Sequence, residues 1–449
     1  MSSNNRYIEL VPTNIPSTGK ISFKNGHPVI QFIIGASDFL LLGSSLRLCG
    51  DFKCMLSNTS TPSSAIDATG DTLTMDCRTG VYGAIDQLVI KNVGQFSTIE
   101  HIKNYNRFMA SYVPVTSASS DVESHFSETA LMTGNPAEQK TGVVDGTIGD
   151  VDTELNQFSI HLPSGFLLGQ QPIFLGAQGI NGIVLELHLT PDAQFFHSLN
   201  GEDQNTATTK TLANAYYEFS NLKLTAELIT PDPQTLRQLT SKAGSTYQYN
   251  SISSYYTSIN SANAIVNFNL GLRNVLGAWC NFIEAKRINS FQYNGLETRW
   301  LHNSGASGNG PAYLKTLIFT RGGVKFPENY DTQTIQKDAP TNTFADPSVL
   351  RGFMNAITQF SKDSRTMVAP NNTYLNSNAN DYEKLDGGEI AGVGIAYDQV
   401  SGQGVDFSTQ NFGIRMDCNL ITDVPTGLYL FVHSKQTLVF NGSGVQILK

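Results

Sequence analysis

Apolar and polar residues alternate in short runs along most of the chain, which is the pattern of half-buried β-strands. In SNLKLTAEL, from Ser220, every second residue is apolar, so one face is predicted to be buried and the other to contact water. Many such runs, separated by Gly, Asn and Ser, favour a sandwich or barrel over βαβ units. Asn25-Gly26 lies between two apolar runs and predicts a hairpin.

One stretch, GQFSTIEHIKNYNRFMASYVP, has a helical period instead. Ser97 and Glu100 fit an S-x-x-E capping box, and Pro114 is expected to end the helix. Between them the apolar residues recur every three or four positions: Ile99, Ile102, Tyr105, Phe108, Met109 and Tyr112. The pattern predicts a helix over residues 97–113 that covers one side of an apolar sheet.

The second half of the sequence repeats the first half in the same order. Four matches support this: VIQFIIG at 29–35 with IVNFNLG at 265–271, LVIKNVG at 88–94 with LIFTRGG at 317–323, the helix with DPSVLRGFMNAITQF at 346–360, and GIVLELHL at 182–189 with GLYLFVHS at 427–434. In the second helix, Asp346 is the predicted N-cap and Pro347 the first helical residue. The chain is therefore predicted to hold two β-sandwiches of one design.

The repeat also sets the expected domain boundaries. Residues 1–230 would form the first sandwich with an N-terminal arm, residues 231–263 a connector, and residues 264–449 the second sandwich. Each half carries a long polar insertion after its helix, at 116–154 and at 362–410. Loops of this length inside a compact domain are usually functional or disordered.

Composition excludes several classes of protein. The 449 residues are too many for one ordinary core, and 29 basic against 38 acidic residues, with no basic tract, argue against a nucleic-acid-neutralising arm. The N-terminal segment lacks the features of a secretory signal, and no apolar run is long enough to span a bilayer. Five cysteines are expected to be reduced and buried, as in cytosol or nucleus: Cys49, Cys54, Cys77, Cys280 and Cys418.

Candidate chemistry is sparse, because no catalytic or phosphate-binding motif occurs in the sequence. His188 and His433 occupy equivalent places in the repeat, but in separate sandwiches they are expected to pack and not to share a metal. One loop carries four carboxylates that could bind Ca²⁺ or serve as a glycosidase acid and base, although a solvated loop is favoured: Asp381, Glu383, Asp386 and Glu389. We therefore predict no catalytic, cofactor-binding or metal site.

Several blocks of the sequence resemble the double jelly-roll major capsid proteins of the PRD1 and adenovirus lineage. They are FLLLGSSLRLCGDF, VYGAIDQLVIKNVGQFSTIEHIKNYNRF, FNLGLRNVLGAWCNFIEAKRINSFQYNG and LKTLIFTRGGVKFP, which cover about half of the chain. Within that lineage they look most like the capsid proteins of Polinton-like viruses, adintoviruses and virophages. The blocks are patterns of strands and turns and contain no catalytic signature.

The resemblance implies an all-β fold with short flanking helices, made of two tandem eight-stranded jelly-roll sandwiches. It implies a structural protein and not an enzyme, with three chains forming a pseudo-hexagonal capsomer in the icosahedral shell of a double-stranded DNA virus. The implied partners are other copies of the chain, penton and minor capsid proteins, with minor proteins or a membrane between shell and genome and no sequence-specific nucleic-acid contact. The implied location is the virion, after synthesis in the host cytoplasm or nucleus.

A different class remains open, namely a carbohydrate-binding, hydrolytic or receptor-binding β-sandwich protein. Such a protein should offer exposed Trp side chains and a carboxylate pair in a groove. The sequence has only Trp279 and Trp300, both beside strand patterns. The three N-x-S/T sequons, at Asn58, Asn372 and Asn441, carry little weight without a secretory route.

Overall fold

The structure is a computed structural model, and it describes most of the chain. The described residues are 5–24, 26–56, 73–76, 79–116, 130, 156–169, 171–177, 180–198, 215–241, 246–261, 263–285, 288–289, 294–296, 313–328, 333–334, 347–361, 392–397, 403–419, 426–441 and 444–449.

The described chain is built mainly of β-strands, with a few short helices. The first half contains β1 (Asn5–Leu10), β2 (Lys20–Ile21), β3 (Val29–Gly35), β4 (Leu40–Leu56), β5 (Leu73–Met75), β6 (Ile85–Asn92), β7 (Thr98–Lys103), β8 (Asn156–His161), β9 (Ile173–Phe174), β10 (Gly182–Leu189), β11 (Phe196–Ser198) and β12 (Ala215–Ile229). The second half contains β13 (Thr246–Ile259), β14 (Asn263–Phe268), β15 (Val275–Glu284), β16 (Tyr313–Arg321), β17 (Val324–Lys325), β18 (Gln333–Thr334), β19 (Val393–Ala396), β20 (Phe412–Asn419), β21 (Thr426–Asn441) and β22 (Gly444–Leu448).

Four α-helices and one 3₁₀ helix complete the described elements. The α-helices are α1 (Tyr105–Thr116), α2 (Asp192–Phe195), α3 (Pro233–Ser241) and α4 (Pro347–Ser361), and the 3₁₀ helix is Gly80–Ala84. The bounds of α4 confirm the helix predicted to begin at Pro347. None of the described helices is long and apolar enough to cross a membrane.

The strand order is the same in both halves. In the first half the sheets run β1-β12-β4-β8 and β3-β10-β6-β7, and in the second half β13-β21-β15-β19 and β14-β20-β16-β17. Each half therefore joins its first, eighth, third and sixth main strands in one sheet and its second, seventh, fourth and fifth in the other. This is the jelly-roll topology, so the predicted fold of two tandem eight-stranded sandwiches is confirmed.

The alternation in β12 predicts burial correctly. Leu222, Leu224, Ala226 and Leu228 face the core and are at most 5% exposed, whereas Lys223 lies on the solvent side. Burying this row of side chains removes their apolar surface from water. Each Å² of apolar surface buried in this way stabilises the fold by about 25 cal/mol.

The predicted capping box at Ser97 is wrong, because residues 98–103 form β7 and the helix begins at Tyr105. Ile102 pairs with Leu88 and Glu100 with Ile90 in the ladder to β6. Both faces of β7 are covered, so its apolar spacing imitates a helical period. Pro114 also lies inside the last turn, since α1 continues to Thr116.

The hairpin predicted at Asn25-Gly26 is also wrong. β2 pairs with β12 and β3 pairs with β10, so the two strands belong to opposite sheets. Gly26 has a φ of 79° and turns the chain from one sheet towards the other. The turn signal is therefore real, but it marks a crossing between sheets.

The fourth sequence match of the repeat does not follow the topology. The counterpart of β10 is β20, and β21 is the counterpart of β12. His188 on β10 and His433 on β21 are therefore not equivalent, contrary to the sequence prediction. Strands rich in Leu, Ile and Val resemble one another too closely for sequence alone to pair them.

The segment predicted as a connector, 231–263, contains regular structure. It holds α3 and β13, and β13 pairs along its whole length with β21. The boundaries 1–230, 231–263 and 264–449 remain a prediction, and this pairing favours a start of the second jelly roll near Thr246. The insertion predicted at 362–410 is too long, because residues 393–396 form β19.

Candidate functional site at the junction of the jelly rolls

Helix α1 lies between the two jelly rolls and is buried on all sides. Every residue from Tyr105 to Val113 is buried. The Phe108 ring centroid lies 6.0 Å from that of Trp279 and 5.8 Å from that of Phe431, both in the second jelly roll. The helix was predicted to cover one side of the first sandwich; it also forms the apolar centre of the contact between the two.

A buried arginine ties this helix to the second jelly roll. Arg107 is 1% exposed, and its Nη2 donates a 2.6 Å hydrogen bond to the carbonyl of Gly295. Its guanidinium carbon lies 4.4 Å from the centroid of the Tyr429 ring, a cation–π contact. Asn281 Nδ2 donates to the Arg107 carbonyl at 3.2 Å and to Ser111 Oγ at 2.9 Å.

A buried carboxylate, that of Glu100, makes a second polar contact between the two jelly rolls. The Glu100 carboxylate accepts backbone N–H bonds from Gly165 at 3.2 Å, Phe166 at 2.9 Å and Ile252 at 3.0 Å. Burial raises the pKa of Glu100, while its hydrogen-bond donors act in the opposite direction. Because β13 is an edge strand, this carboxylate satisfies an N–H group that its own sheet leaves free.

The loop after β8 contacts β13 closely. The Phe166 ring packs edge-on against Tyr247 at 5.6 Å and Tyr249 at 5.5 Å between centroids. Tyr249 OH donates a 2.9 Å hydrogen bond to the carbonyl of Ile99. A Cβ on Gly165 would lie 1.5 Å from the Asn250 carbonyl oxygen, so only glycine permits this approach.

The two jelly rolls have the same orientation, so that the ends that carry their long connections lie on the same side of the molecule. Because β8 runs antiparallel to β4, and β19 to β15, the chain leaves β4 and β15 at the same end of the sandwich at which it enters β8 and β19. The connections β4–β6, β7–β8 and β15–β16, and that from α4 to β19, share the end that we call the long-loop end. A 2.7 Å hydrogen bond from Asn294 Nδ2 to Asp76 Oδ2 joins these ends of the two jelly rolls. Both insertions therefore leave from one end of the molecule, although most of their residues lie outside the described part.

The residues singled out for chemistry do not converge in the described structure. His433 is fully buried against Phe360, at 5.5 Å between ring centroids, and burial lowers its pKa to about 3. Within the described residues no group of three or more His, Cys, Asp or Glu side chains could hold a metal ion. The four loop carboxylates at 381–389 lie outside the described residues.

The features expected of a sugar-binding protein are equally weak here. Trp279 is fully buried under α1, so it offers no exposed platform, and Trp300 lies outside the described residues. Asn58, Asn372 and the side chain of Asn441 also lie outside them.

Among the cysteines, Cys280 is buried and Cys49 half-buried, both as free thiols, and the other three side chains are not described.

Sequence reasoning missed Glu100 and Arg107 as junction residues. Glu100 was assigned to a capping box, and Arg107 was not considered. One signal could have found them, because each is a charged residue next to apolar residues that the stripe predicts to be buried, Ile99 and Phe108. Charged side chains are rarely fully buried unless they are paired, and here at least one partner of each residue comes from the other half of the chain.

Comparison with solved structures identifies the fold. Over 98% of this chain and 91% of the other, the structure matches the Faustovirus major capsid protein, with a TM-score of 0.61 and 9% identity. It matches the PBCV-1 virus capsid over 100% and 98%, with a TM-score of 0.59 and 10% identity. It matches the Sputnik virophage structure over 99% and 88%, with a TM-score of 0.54 and 12% identity.

These matches define the class of fold to which the chain belongs. Its two sandwiches form a double jelly roll, the fold of the viral major capsid proteins that it matches over its full length. No protein-family model matches the sequence, and no curated protein matches it either. At about one residue in ten identical, the likeness is one of fold.

Proposed function

We propose that the chain is the major capsid protein of a double-stranded DNA virus. The observation that carries the proposal is the buried junction, which joins two jelly rolls of one topology in a single orientation through Phe108, Arg107 and Glu100. The full-length likeness to capsid proteins supports it. The role is structural and not catalytic, and its place is the virion.

The geometry explains how such a chain would build a shell. Because the junction fixes the two jelly rolls relative to each other, each chain would supply two of the six sandwiches of a hexagonal capsomer. Three copies would then complete one capsomer. An obligate interface of this kind buries on the order of 2,000 Å² or more. Contacts between capsomers can then be individually weak, since a closed shell holds each capsomer at several edges.

The proposal extends to the partners and the orientation of the loops. The chain would contact its own copies first, then penton and minor capsid proteins, with minor proteins or a membrane between shell and genome. Because both insertions leave from the long-loop end, they would form towers on one surface of the shell and clasp neighbouring subunits. The net charge of -9 agrees with a wall that does not contact the genome directly.

Size-exclusion chromatography with light scattering tests the proposal directly. We expect a species of three times the 48.9 kDa chain mass. A binding assay on immobilised glycans, run on the same sample, tests the carbohydrate-binding alternative. A stable monomer that binds glycans would refute the capsid proposal.

A further inference from the structure

His433 is a basic residue inside the apolar contact between the two jelly rolls. It is fully buried on β21, and the ring of Phe360 packs against it at 5.5 Å between ring centroids. Among the described residues, neither of its ring nitrogens has a hydrogen-bond partner. A neutral imidazole held in this way leaves one donor and one acceptor unsatisfied, whereas an imidazolium would bury a charge and two N–H donors.

Phe360 joins three elements at this point. Its ring centroid lies 5.9 Å from that of Phe108 and 5.8 Å from that of Tyr112, both on α1. Because Phe360 belongs to the last turn of α4, residues 357–361, that turn closes the space between α1 and β21 beside His433. Phenylalanine has no polar atom in its side chain, so these contacts resist opening only through the apolar surface that they bury.

Helix α4 lies directly on the sheet next to His433. Gly277 of β15 is the ladder partner of His433, and a Cβ on Gly277 would lie 3.5 Å from the Cα of Ala356. A Cβ on Gly394 of β19 would lie 3.0 Å from the Cβ of Ala356. The helix therefore covers the sheet as far as the strand pair that holds His433, and Phe360, one turn further along, covers the imidazole.

The two helices at this contact differ in how they are held. α1 is buried on all sides, and the hydrogen bonds of Arg107 and Asn281 join it to the second jelly roll. α4 buries one side, with Phe353 and Ile357 fully buried, and its opposite side carries the exposed Arg351. Helix ends open locally at a lower free energy than buried elements do. Of the elements that cover His433, the last turn of α4 is therefore the one that opens at the lowest cost.

The charged groups around His433 do not offset its burial. On the elements packed against it, the charged or titratable side chains are Glu100 on β7, Arg107 and Tyr112 on α1, Arg351 on α4 and Lys435 on its own strand. Glu100 is bonded to the N–H of Ile252, the ladder partner of His433 on β13. Burial alone lowers the pKa of His433, so none of these groups favours a proton on its ring.

We propose that the last turn of α4 is an acid-sensitive latch over His433. When His433 takes up a proton from solvent, this turn unwinds, Phe360 leaves α1 and β21, and water reaches the imidazolium, while α1 stays in place. The predicted insertion begins directly after this turn, so opening would detach the point at which the insertion begins from the junction. The inference goes beyond the proposed function and does not depend on it, because every residue involved lies in one chain.

The expected size of the effect follows from proton linkage. With the turn open, His433 has its ordinary pKa of 6.5, and with the turn closed, burial lowers the pKa to about 3. Between these two values the ratio of open to closed turns should rise about tenfold for each unit by which the pH falls. From pH 6 to pH 4 the open fraction should therefore increase about 70-fold.

Hydrogen exchange with mass spectrometry, on the full chain between pH 7 and pH 4, tests the proposal. After correction for the intrinsic exchange rate at each pH, the protection of the backbone amides at 357–361 should fall about 70-fold between pH 6 and pH 4. The protection of residues 108–112 of α1 should change far less. His433→Leu should make the protection at 357–361 independent of pH, and His433→Gln, which also does not titrate, gives the same comparison with a polar side chain.

His101→Gln is the matched control. Burial also lowers the pKa of His101, which lies on β7 with its Nε2 2.9 Å from Gln87 Oε1. This variant should therefore keep the wild-type pH dependence at 357–361.

Four results would overturn the proposal. Equal losses of protection in α1 and α4 would show that acid unfolds the junction as a whole. A pH dependence that persists in both His433 variants would assign the effect to another group. Constant protection at 357–361 in the wild type would show that the turn does not respond to acid, and a turn already unprotected at pH 7 would show that it does not cover His433.

Discussion

Glu100 Oε1 accepts a hydrogen bond of 3.0 Å from the backbone N–H of Ile252, 152 residues further along the chain and in the other jelly roll. A charge-assisted bond of this kind, inside a buried contact, fixes the position of one domain on the other. The relative orientation of the jelly rolls is therefore set by specific polar groups as well as by the apolar surface around Phe108.

Glu100→Gln should weaken the junction. The amide keeps one acceptor oxygen but turns its NH₂ towards a backbone N–H that the carboxylate satisfied. Leaving one buried donor without a partner costs about 2 kcal/mol. Urea unfolding at pH 7 should show this loss. Glu9→Gln, which removes an exposed ion pair of 3.1 Å with Lys223, should cost less than about 1 kcal/mol; equal losses would contradict the assigned role of Glu100.

Gly165→Ala should separate the two jelly rolls locally. The added Cβ would overlap the carbonyl oxygen of Asn250, which belongs to the β13 ladder and cannot move cheaply. Overpacking of this kind costs about 1–3 kcal/mol or more. We expect a lower melting temperature and faster proteolysis between the halves. Gly35→Ala is the control, since a Cβ there has no neighbour within 4 Å, and it should be silent.

Phe108 should be the most sensitive position of α1. It is fully buried and contacts the Trp279 and Phe431 rings of the second jelly roll, so Phe108→Ala should cost about 3–5 kcal/mol. Phe108→Leu keeps most of the volume and should cost less than about 1.5 kcal/mol. Phe108→Asp buries a charge and should abolish soluble trimer. An unchanged melting temperature and trimer yield for Phe108→Asp would show that α1 does not pack as described.

Most of the architecture could be predicted from the sequence, because it rests on local pattern. The alternation in β12, the apolar stripe of α4 and the repeated strand-turn blocks each report burial of one face. The predictions that failed concerned residues whose structure depends on contacts with residues distant in sequence. Residues 98–103 have apolar residues on both faces because β7 lies between its own sheet and β13, and no local rule distinguishes that from a helix. The junction roles of Glu100 and Arg107 were missed for the same reason.

His433 should make stability depend on pH. Burial lowers its pKa to about 3, below the ordinary value of 6.5, so the folded chain keeps it neutral while the unfolded chain takes up a proton. Above pH 6.5 His433 is neutral in both states and does not lower the free energy of unfolding. As the pH falls from 6.5 towards 3, the free energy of unfolding decreases by about 1.4 kcal/mol per pH unit.

His433→Leu removes this titration, since leucine fills a similar volume without a basic group. Between pH 7 and pH 5 the variant should lose about 2 kcal/mol less unfolding free energy than wild type. Urea unfolding at pH 7 and at pH 5 measures the difference. Above pH 7 the unfolding free energies of the variant and of the wild type should depend on pH in the same way. Equal losses between pH 7 and 5 would mean that His433 is accessible to protons in the folded chain.

Electron microscopy of the purified wild-type chain would show directly whether three copies form the proposed capsomer. The proposed capsomer predicts particles with a hexagonal outline and three-fold symmetry, in which six upright sandwiches form one ring and the long-loop ends project from one surface. Particles that contain one or two chains, or a ring whose jelly rolls point in opposite directions, would contradict it.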